Sequence, residues 1–255
     1  MMHLHFHPEF SQYSTDLKRF IDQFDSSGNL FGDGKRNKIK LFGLGDRTVN
    51  IKSFKVPNVI NRVAYRFFRK SKARRSFEFA NILLSHGIGT PQPIAYAEQF
   101  LISGLGKSFY ISEHLQCDLT YRELVEVPDY PDHDNILRQF VAFCFQLHEH
   151  GIEFLDHSPG NTLIRKEADG RYAFFLVDLN RMEFHSSMSF ETRMKNLSRL
   201  TPKREMVAVM AHAYAQLYRH QSEQEIFDRM WFYTNDFQVR FHQKIRLKKA
   251  LKFWK

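Results

Sequence analysis

GIEFLDHSPGNTLIRKEADGRYAFFLVDLNR, residues 151–181, is the stretch on which the reading of this chain turns. Gly151 closes an apolar run with helical spacing, and Asp156 follows a short apolar segment. Asn161 comes five positions later. The segment NTLIRKEADGRYAFFLVDL then alternates as a hairpin does, with Asp169-Gly170 as a strong two-residue turn signal. Asp178 stands at the end of the apolar run AFFLV, so two short strands and a turn fit between it and Asp156. This order of groups suits phosphoryl transfer from ATP. One carboxylate, Asp156, orients the acceptor hydroxyl, while Asn161 and Asp178 hold Mg²⁺ against the phosphates. Mg²⁺ is a hard cation that takes a few protein oxygens together with phosphate oxygens.

Working outward, residues 134–150 predict a buried helix, and the chain beyond Asn196 is helical to its basic end. Upstream, residues 9–25 read as an amphipathic helix. NKIKLF and RTVNIKSFKV read as strands around the turn Gly43-Leu-Gly-Asp46, and Pro57 ends the second. Residues 59–86 read as largely helical, with a second helix from Ser71 through Leu84. PIAYAE and SFYISEHL read as a hairpin turning across Ser103–Gly106. The expected fold is therefore α+β with two lobes. Residues 1–115 form a strand-rich N-terminal lobe with a leading helix, an antiparallel sheet and the helix of Glu78. Residues 116–255 form a helical catalytic lobe, with the nucleotide expected in the cleft of a kinase-like layout.

The first lobe should supply a lysine on a strand and a glutamate on a helix. VNIK, residues 49–52, puts Lys52 where it contacts the α- and β-phosphates. Lys55 is the rival, and strand alternation sends it to the opposite face. Glu78 is the expected ion-pair partner of Lys52, being the only acid between Lys52 and Glu98; the alternative is a solvated helix residue. Gly32-x-Gly34 is the candidate phosphate loop, with Gly43-x-Gly45 as a second candidate that also reads as a plain hairpin turn.

The 255 residues carry 43% hydrophobic side chains, including 26 Phe, enough for a sizeable core. No apolar run approaches the roughly 18 residues that span a bilayer, and MMHLHFHPEF lacks a charged segment leading into an apolar one, so no signal peptide is expected. Cys117 and Cys144 make neither a disulfide framework nor a paired metal motif, which points to a reduced, cytoplasmic setting. The net charge of +9 favours an anionic partner. No helix-turn-helix, zinc or RNA-binding signature accompanies it, so nucleic acid is not expected.

With these residues placed, the chain resembles the lipopolysaccharide kinase family, the Kdo and heptose kinases of Gram-negative bacteria. The stretches that carry the likeness are VNIKSF, KSKARRSFEFANILLSHGIGTPQPIAY, FYISEHL, LHEHGIEFLDHSPGN and FFLVDLNR. The resemblance implies an ATP- and Mg²⁺-dependent phosphotransferase acting on an alcohol. Its acceptor would be a sugar hydroxyl, Kdo in the first instance, of the lipid-linked inner core at the cytoplasmic face of the inner membrane. It also implies Asp156 as catalytic aspartate, Asn161 and Asp178 as metal ligands, Lys52 and Glu78 as the phosphate-binding pair, and Glu113 through Leu115 as the hinge that holds adenine. Phe154-Leu155 stand where protein kinases carry His-Arg, and Asp178-Leu179-Asn180 replace Asp-Phe-Gly. No Ala-Pro-Glu segment is present. These departures argue against a protein substrate.

Two basic stretches suit an anionic, lipid-linked acceptor. Arg69, Lys70, Lys72, Arg74 and Arg75 can hold phosphates or a sugar carboxylate, or form a solvated helix face. FHQKIRLKKALKFWK interleaves Ile245, Leu247, Leu251, Phe253 and Trp254 with cations, as a helix lying on an anionic bilayer does, or a last helix packed on its lobe. His148 reads as a core residue. His157 reads either as an acceptor contact or as a residue ordering the loop. A catalytically silent kinase-like scaffold at the membrane is the alternative function.

Overall fold

The computed structural model describes residues 2–32 and 37–253. It divides into two compact units. One comprises Met1–Gln116 with Asp178–Asn180, the other Cys117–Val177 with Arg181–Lys255.

The first unit contains β1 (Met2–Phe6), α1 (Ser14–Asp22), β2 (Asn29–Phe31), β3 (Lys38–Leu44), β4 (Arg47–Phe54), α2 (Val59–Phe67), α3 (Lys72–Ser85), β5 (Pro93–Leu101) and β6 (Gly104–Glu113). Its six strands make one antiparallel sheet in the order β1-β5-β6-β4-β3-β2. The apolar stripe of α1, Leu17, Phe20 and Ile21, packs on one face of the sheet against Phe42, Val49, Ile51 and Phe109. Strand alternation sends Lys52 and Phe54 to the other face, where Phe54 meets Ala73 and Phe77 of α3. Ser71 caps α3 by accepting a hydrogen bond from the Arg74 N–H, and Asn58 caps α2 in the same way through Asn61.

Two details differ from the sequence reading. The segment expected as one helix over residues 9–25 opens with a 3₁₀ turn at Pro8–Tyr13, with Pro8 at its first position, before α1 starts at Ser14. Residues 59–86 divide into two helices as the sequence reading has it, the first ending at Phe67 and the second starting at the Ser71 cap. The β5–β6 turn lies at Ile102–Ser103 rather than across Ser103–Gly106. Gly104 there has φ +108, and a Cβ would sit 2.5 Å from the Arg62 carbonyl oxygen. Only glycine satisfies both constraints, so the hairpin tip lies tight against α2.

The second unit contains β7 (Leu119–Thr120), α4 (Tyr121–Glu126), α5 (His133–Glu149), β8 (Ile152–Phe154), β9 (Thr162–Lys166), β10 (Tyr172–Leu176), β11 (Met182–Phe184), α6 (Phe190–Leu197), α7 (Arg204–Leu217) and α8 (Glu223–Phe253). The core of α5 comprises Ile136, Leu137, Phe140, Val141, Cys144 and Leu147, all fully buried. β10-β9-β7 and β11-β8 form two small antiparallel sheets. Gly151 leaves α5 at φ +67 with the His185 carbonyl oxygen 2.0 Å from where a Cβ would be, which allows the turn into β8. The first half of α8 packs through Ile226, Met230 and Thr234, while Leu247 and Leu251 are exposed. Trp254 lies outside the described residues.

Candidate active site

Asp156 sits in the loop from β8 to β9, which ends in a 3₁₀ turn at Pro159–Asn161. Asn161 Nδ2 donates to the Asp156 carbonyl oxygen at 2.8 Å, tying the two ends of the Asp-x4-Asn segment together. With its amide nitrogen so engaged, the Asn161 Oδ1 is the atom left to serve as a metal ligand. Two residues that the sequence reading missed reach the Asp156 carboxylate. Arg181 Nη1 is 3.1 Å and Arg199 Nη1 3.2 Å from Oδ1. Arg199 also donates to the Leu155 carbonyl oxygen at 2.7 Å. Oδ1 is thus held by two guanidinium groups, which leaves Oδ2 to receive a hydroxyl. Arg181 belongs to the DLNR segment, whereas Arg199 is 43 positions from Asp156 and has no local signal.

Behind the loop lies a buried polar relay. His148 Nδ1 is 2.8 Å from the Tyr214 hydroxyl, and its Nε2 is 3.3 Å from Asn196 Oδ1. Asn196 Nδ2 donates to the Phe154 carbonyl oxygen at 3.0 Å. The amide oxygen can only accept, so His148 Nε2 carries the proton and Nδ1 accepts from Tyr214. The relay fixes the strand that leads into Asp156. Burial lowers the His148 pKa to about 3. His157 is also fully buried, tilted against Phe154 and edge-on to Phe140, and burial lowers its pKa to about 4. It is therefore a neutral packing residue of the loop, and it offers no surface to an acceptor.

In the first unit, Lys52 Nζ is 2.6 Å from Asp178 Oδ1, and Asn180 Nδ2 donates to the same oxygen at 2.7 Å. The Lys52 side chain is 14% exposed. The expected Lys52–Glu78 ion pair is not the one formed. Glu78 accepts from Lys70 Nζ at 2.8 Å and from Arg74 Nε at 2.9 Å. Burial raises its carboxyl pKa, but these two hydrogen bonds outweigh the burial and hold it below the usual range. Lys70 just before α3 and Arg74 on it therefore neutralise Glu78, and Lys52 takes the carboxylate of Asp178. Lys55 lies beyond the end of β4 and is exposed. Asp178 has φ +61, a left-handed conformation costly for most residues and tolerated by Asp and Asn. The Asp178 carboxylate offers only oxygens, the donor type Mg²⁺ prefers.

Gly32 has φ +79 at the start of the β2–β3 connection. Gly34 lies outside the described residues. Gly45, at φ +61, is the turn residue of the β3–β4 hairpin. At the expected hinge, the Glu113 carboxylate is ion-paired with Arg47, and its N–H donates to the Gln92 carbonyl oxygen at 2.9 Å. The His114 N–H donates to Thr48 at 2.8 Å, and Leu115 is half-buried just beyond.

The sequence profile described as the lipopolysaccharide kinase (Kdo/WaaP) family matches residues 49–234. The chain belongs to the lipopolysaccharide kinase (Kdo/WaaP) family. As a member of this kinase family it is a phosphotransferase. The matched span includes Lys52, Glu78, Glu113, Leu115, Asp156, Asn161 and Asp178, and leaves out Gly32, Gly34 and the basic end of α8. Among solved structures, one described as WaaP in complex with acyl carrier protein is similar, with a TM-score of 0.63 and 15% identity over 95% of this chain and 98% of the other. That likeness establishes the kinase-like fold. No curated protein matches the chain in sequence.

Proposed function

We propose that this lipopolysaccharide kinase uses ATP and Mg²⁺ to phosphorylate a sugar hydroxyl, Kdo in the first instance, on the lipid-linked inner core at the cytoplasmic face of the inner membrane. The observation that carries the reading is the Lys52–Asp178 ion pair, which joins residues 126 positions apart. A lysine beside that carboxylate is placed to hold phosphate oxygens once the carboxylate faces a metal ion. Bound Mg²⁺ would neutralise phosphate charge, with Asp178 and Asn161 as its protein ligands. Asp156 orients the acceptor hydroxyl through Oδ2, while Arg181 and Arg199 fix its carboxylate. Positioning and fixed charge supply most of the acceleration. Lys52 would contact the α- and β-phosphates, Gly32 and Gly34 would belong to the loop over them, and the backbone from Glu113 to Leu115 would face adenine. Glu78, held by Lys70 and Arg74, would then orient those two cations rather than Lys52.

The test is transfer of labelled γ-phosphate from ATP to Kdo-bearing lipid A precursor, with Asp156→Asn alongside. The variant should lose at least about a hundredfold in turnover while retaining ATP binding. Retained transfer in the variant would remove Asp156 from the mechanism. Absence of both transfer and any Mg²⁺-dependent ATP thermal shift in the parent protein would point to a silent scaffold instead. WaaP was solved with acyl carrier protein, and titration of this chain with acyl carrier protein tests whether it takes the same partner.

A further inference from the structure

α2 and the β5–β6 hairpin carry a group of apolar side chains that nothing in the first unit covers. Phe68 is 86% exposed, Phe67 67%, and Ile102 at the hairpin tip fully so. Leu101 and Val56 are also exposed. These side chains are held out by structure. Arg62 Nη2 donates to Ser103 Oγ at 2.6 Å, and Arg66 Nη1 donates to the Leu101 and Ile102 carbonyl oxygens at 2.5 and 3.2 Å. Gly104 closes the approach, so helix end and hairpin tip form one surface. The sequence from Arg47 to Phe77 contains no Asp or Glu, and none lies between Glu98 and Glu113. The apolar tips therefore stand among Arg62, Arg66 and Arg69 without an acidic residue in either segment.

Apolar side chains at projecting tips, surrounded by cations whose stems can lie along apolar surface, suit the boundary between headgroups and acyl chains of an anionic bilayer. Each cation near such a surface adds favourable electrostatic energy. A protein partner would favour a groove, whereas Ile102 projects into solvent from a hairpin tip. We infer that the Phe67-Phe68 end of α2 and the Ile102 hairpin tip dock this protein on an anionic lipid surface. The inference rests on the proposed lipid-linked acceptor for its purpose, but its test needs no catalysis.

The experiment is sedimentation of the full chain, without nucleotide, with phosphatidylcholine vesicles and with vesicles containing phosphatidylglycerol. The parent protein should pellet with the anionic vesicles, less as salt is raised. Phe68→Ser with Ile102→Ser should weaken that partition by at least about tenfold, since two exposed apolar side chains are removed. Thermal melting of the variant confirms that it folds, and Arg69→Glu gives an independent loss through charge alone. Undiminished vesicle binding in both variants, or none in the parent protein, would overturn the inference. So would loss of vesicle dependence together with binding to a soluble acidic protein that the same substitutions abolish. Phosphotransfer to a detergent-dispersed acceptor should survive in the Ser variant, which separates failure of docking from failure of the kinase reading.

Discussion

Lowering the pH from 7 to 5 should destabilise the second unit through two buried histidines. In the folded protein His148 titrates near 3 and His157 near 4, both lowered first by burial, against 6.5 for an ordinary histidine. Between pH 6.5 and those values the unfolded chain binds more protons than the folded one, so stability falls as pH falls. The contribution is complete above pH 6.5, and its loss is complete near the folded values. At 1.36 kcal/mol per pH unit for each ring, moving from 6.5 to 5 removes about 2 kcal/mol for each histidine, or about 4 kcal/mol together. That is a large fraction of the 5–15 kcal/mol typical of a domain. The assay is urea unfolding followed by tryptophan fluorescence at pH 7.5, 6.5, 6.0, 5.5 and 5.0. Trp231, the tryptophan among the described residues, belongs to the second unit. Stability should fall by about 2.7 kcal/mol per pH unit well below 6.5, as expected for two protons. His157→Phe, which keeps a ring against Phe140 and Phe154, should halve that slope to about 1.4 kcal/mol per unit. A slope of less than one proton in the parent protein, or an unchanged slope in His157→Phe, would refute the reasoning.

Asp178→Asn keeps a residue that tolerates φ +61 while removing the charge, so it should fold normally yet lose more than about tenfold in Mg²⁺-dependent nucleotide affinity, near 1.4 kcal/mol. Calorimetric titration with ATP, with and without Mg²⁺, measures this, and equal affinities in variant and parent would contradict the metal role. Asn196→Ala leaves His148 Nε2 buried without its partner, costing about 1–3 kcal/mol, and removes one of two hydrogen bonds at the Phe154 carbonyl oxygen, which keeps the His157 N–H. Denaturant unfolding should show a loss of at least about 1 kcal/mol, with turnover reduced because Phe154 leads into Asp156; unchanged stability would mean that the relay is not needed.

The Asp156–Asn161 segment was legible because its chemistry is written over six consecutive residues, and because the Asp169-Gly170 turn pins the hairpin that follows. The antiparallel sheet around VNIK was legible for the same reason: strand alternation and turn glycines are local. The partner of Lys52 was not. An acid on the following helix looked the natural choice, yet the sequence holds Lys70 and Arg74 within one or two turns of Glu78, and those nearer cations satisfy it. Arg199 was invisible because its placement against Asp156 depends on how α6 packs, which no spacing encodes. β1 escaped notice since MHLHF is short, and it becomes a strand only by pairing with β5.

The tripeptide Asp178–Asn180 belongs to the first unit although the chain on either side of it belongs to the second. A gene cut after Gln116 would therefore not give two self-sufficient halves. The shorter product would carry Lys52 and lack the carboxylate it holds, while the longer would keep Asp178 and lack the lysine. Expressed apart, neither half could assemble the Lys52–Asp178 pair. Produced together, each would need the other, which makes this junction a ready-made position for a split reporter whose signal requires reassembly.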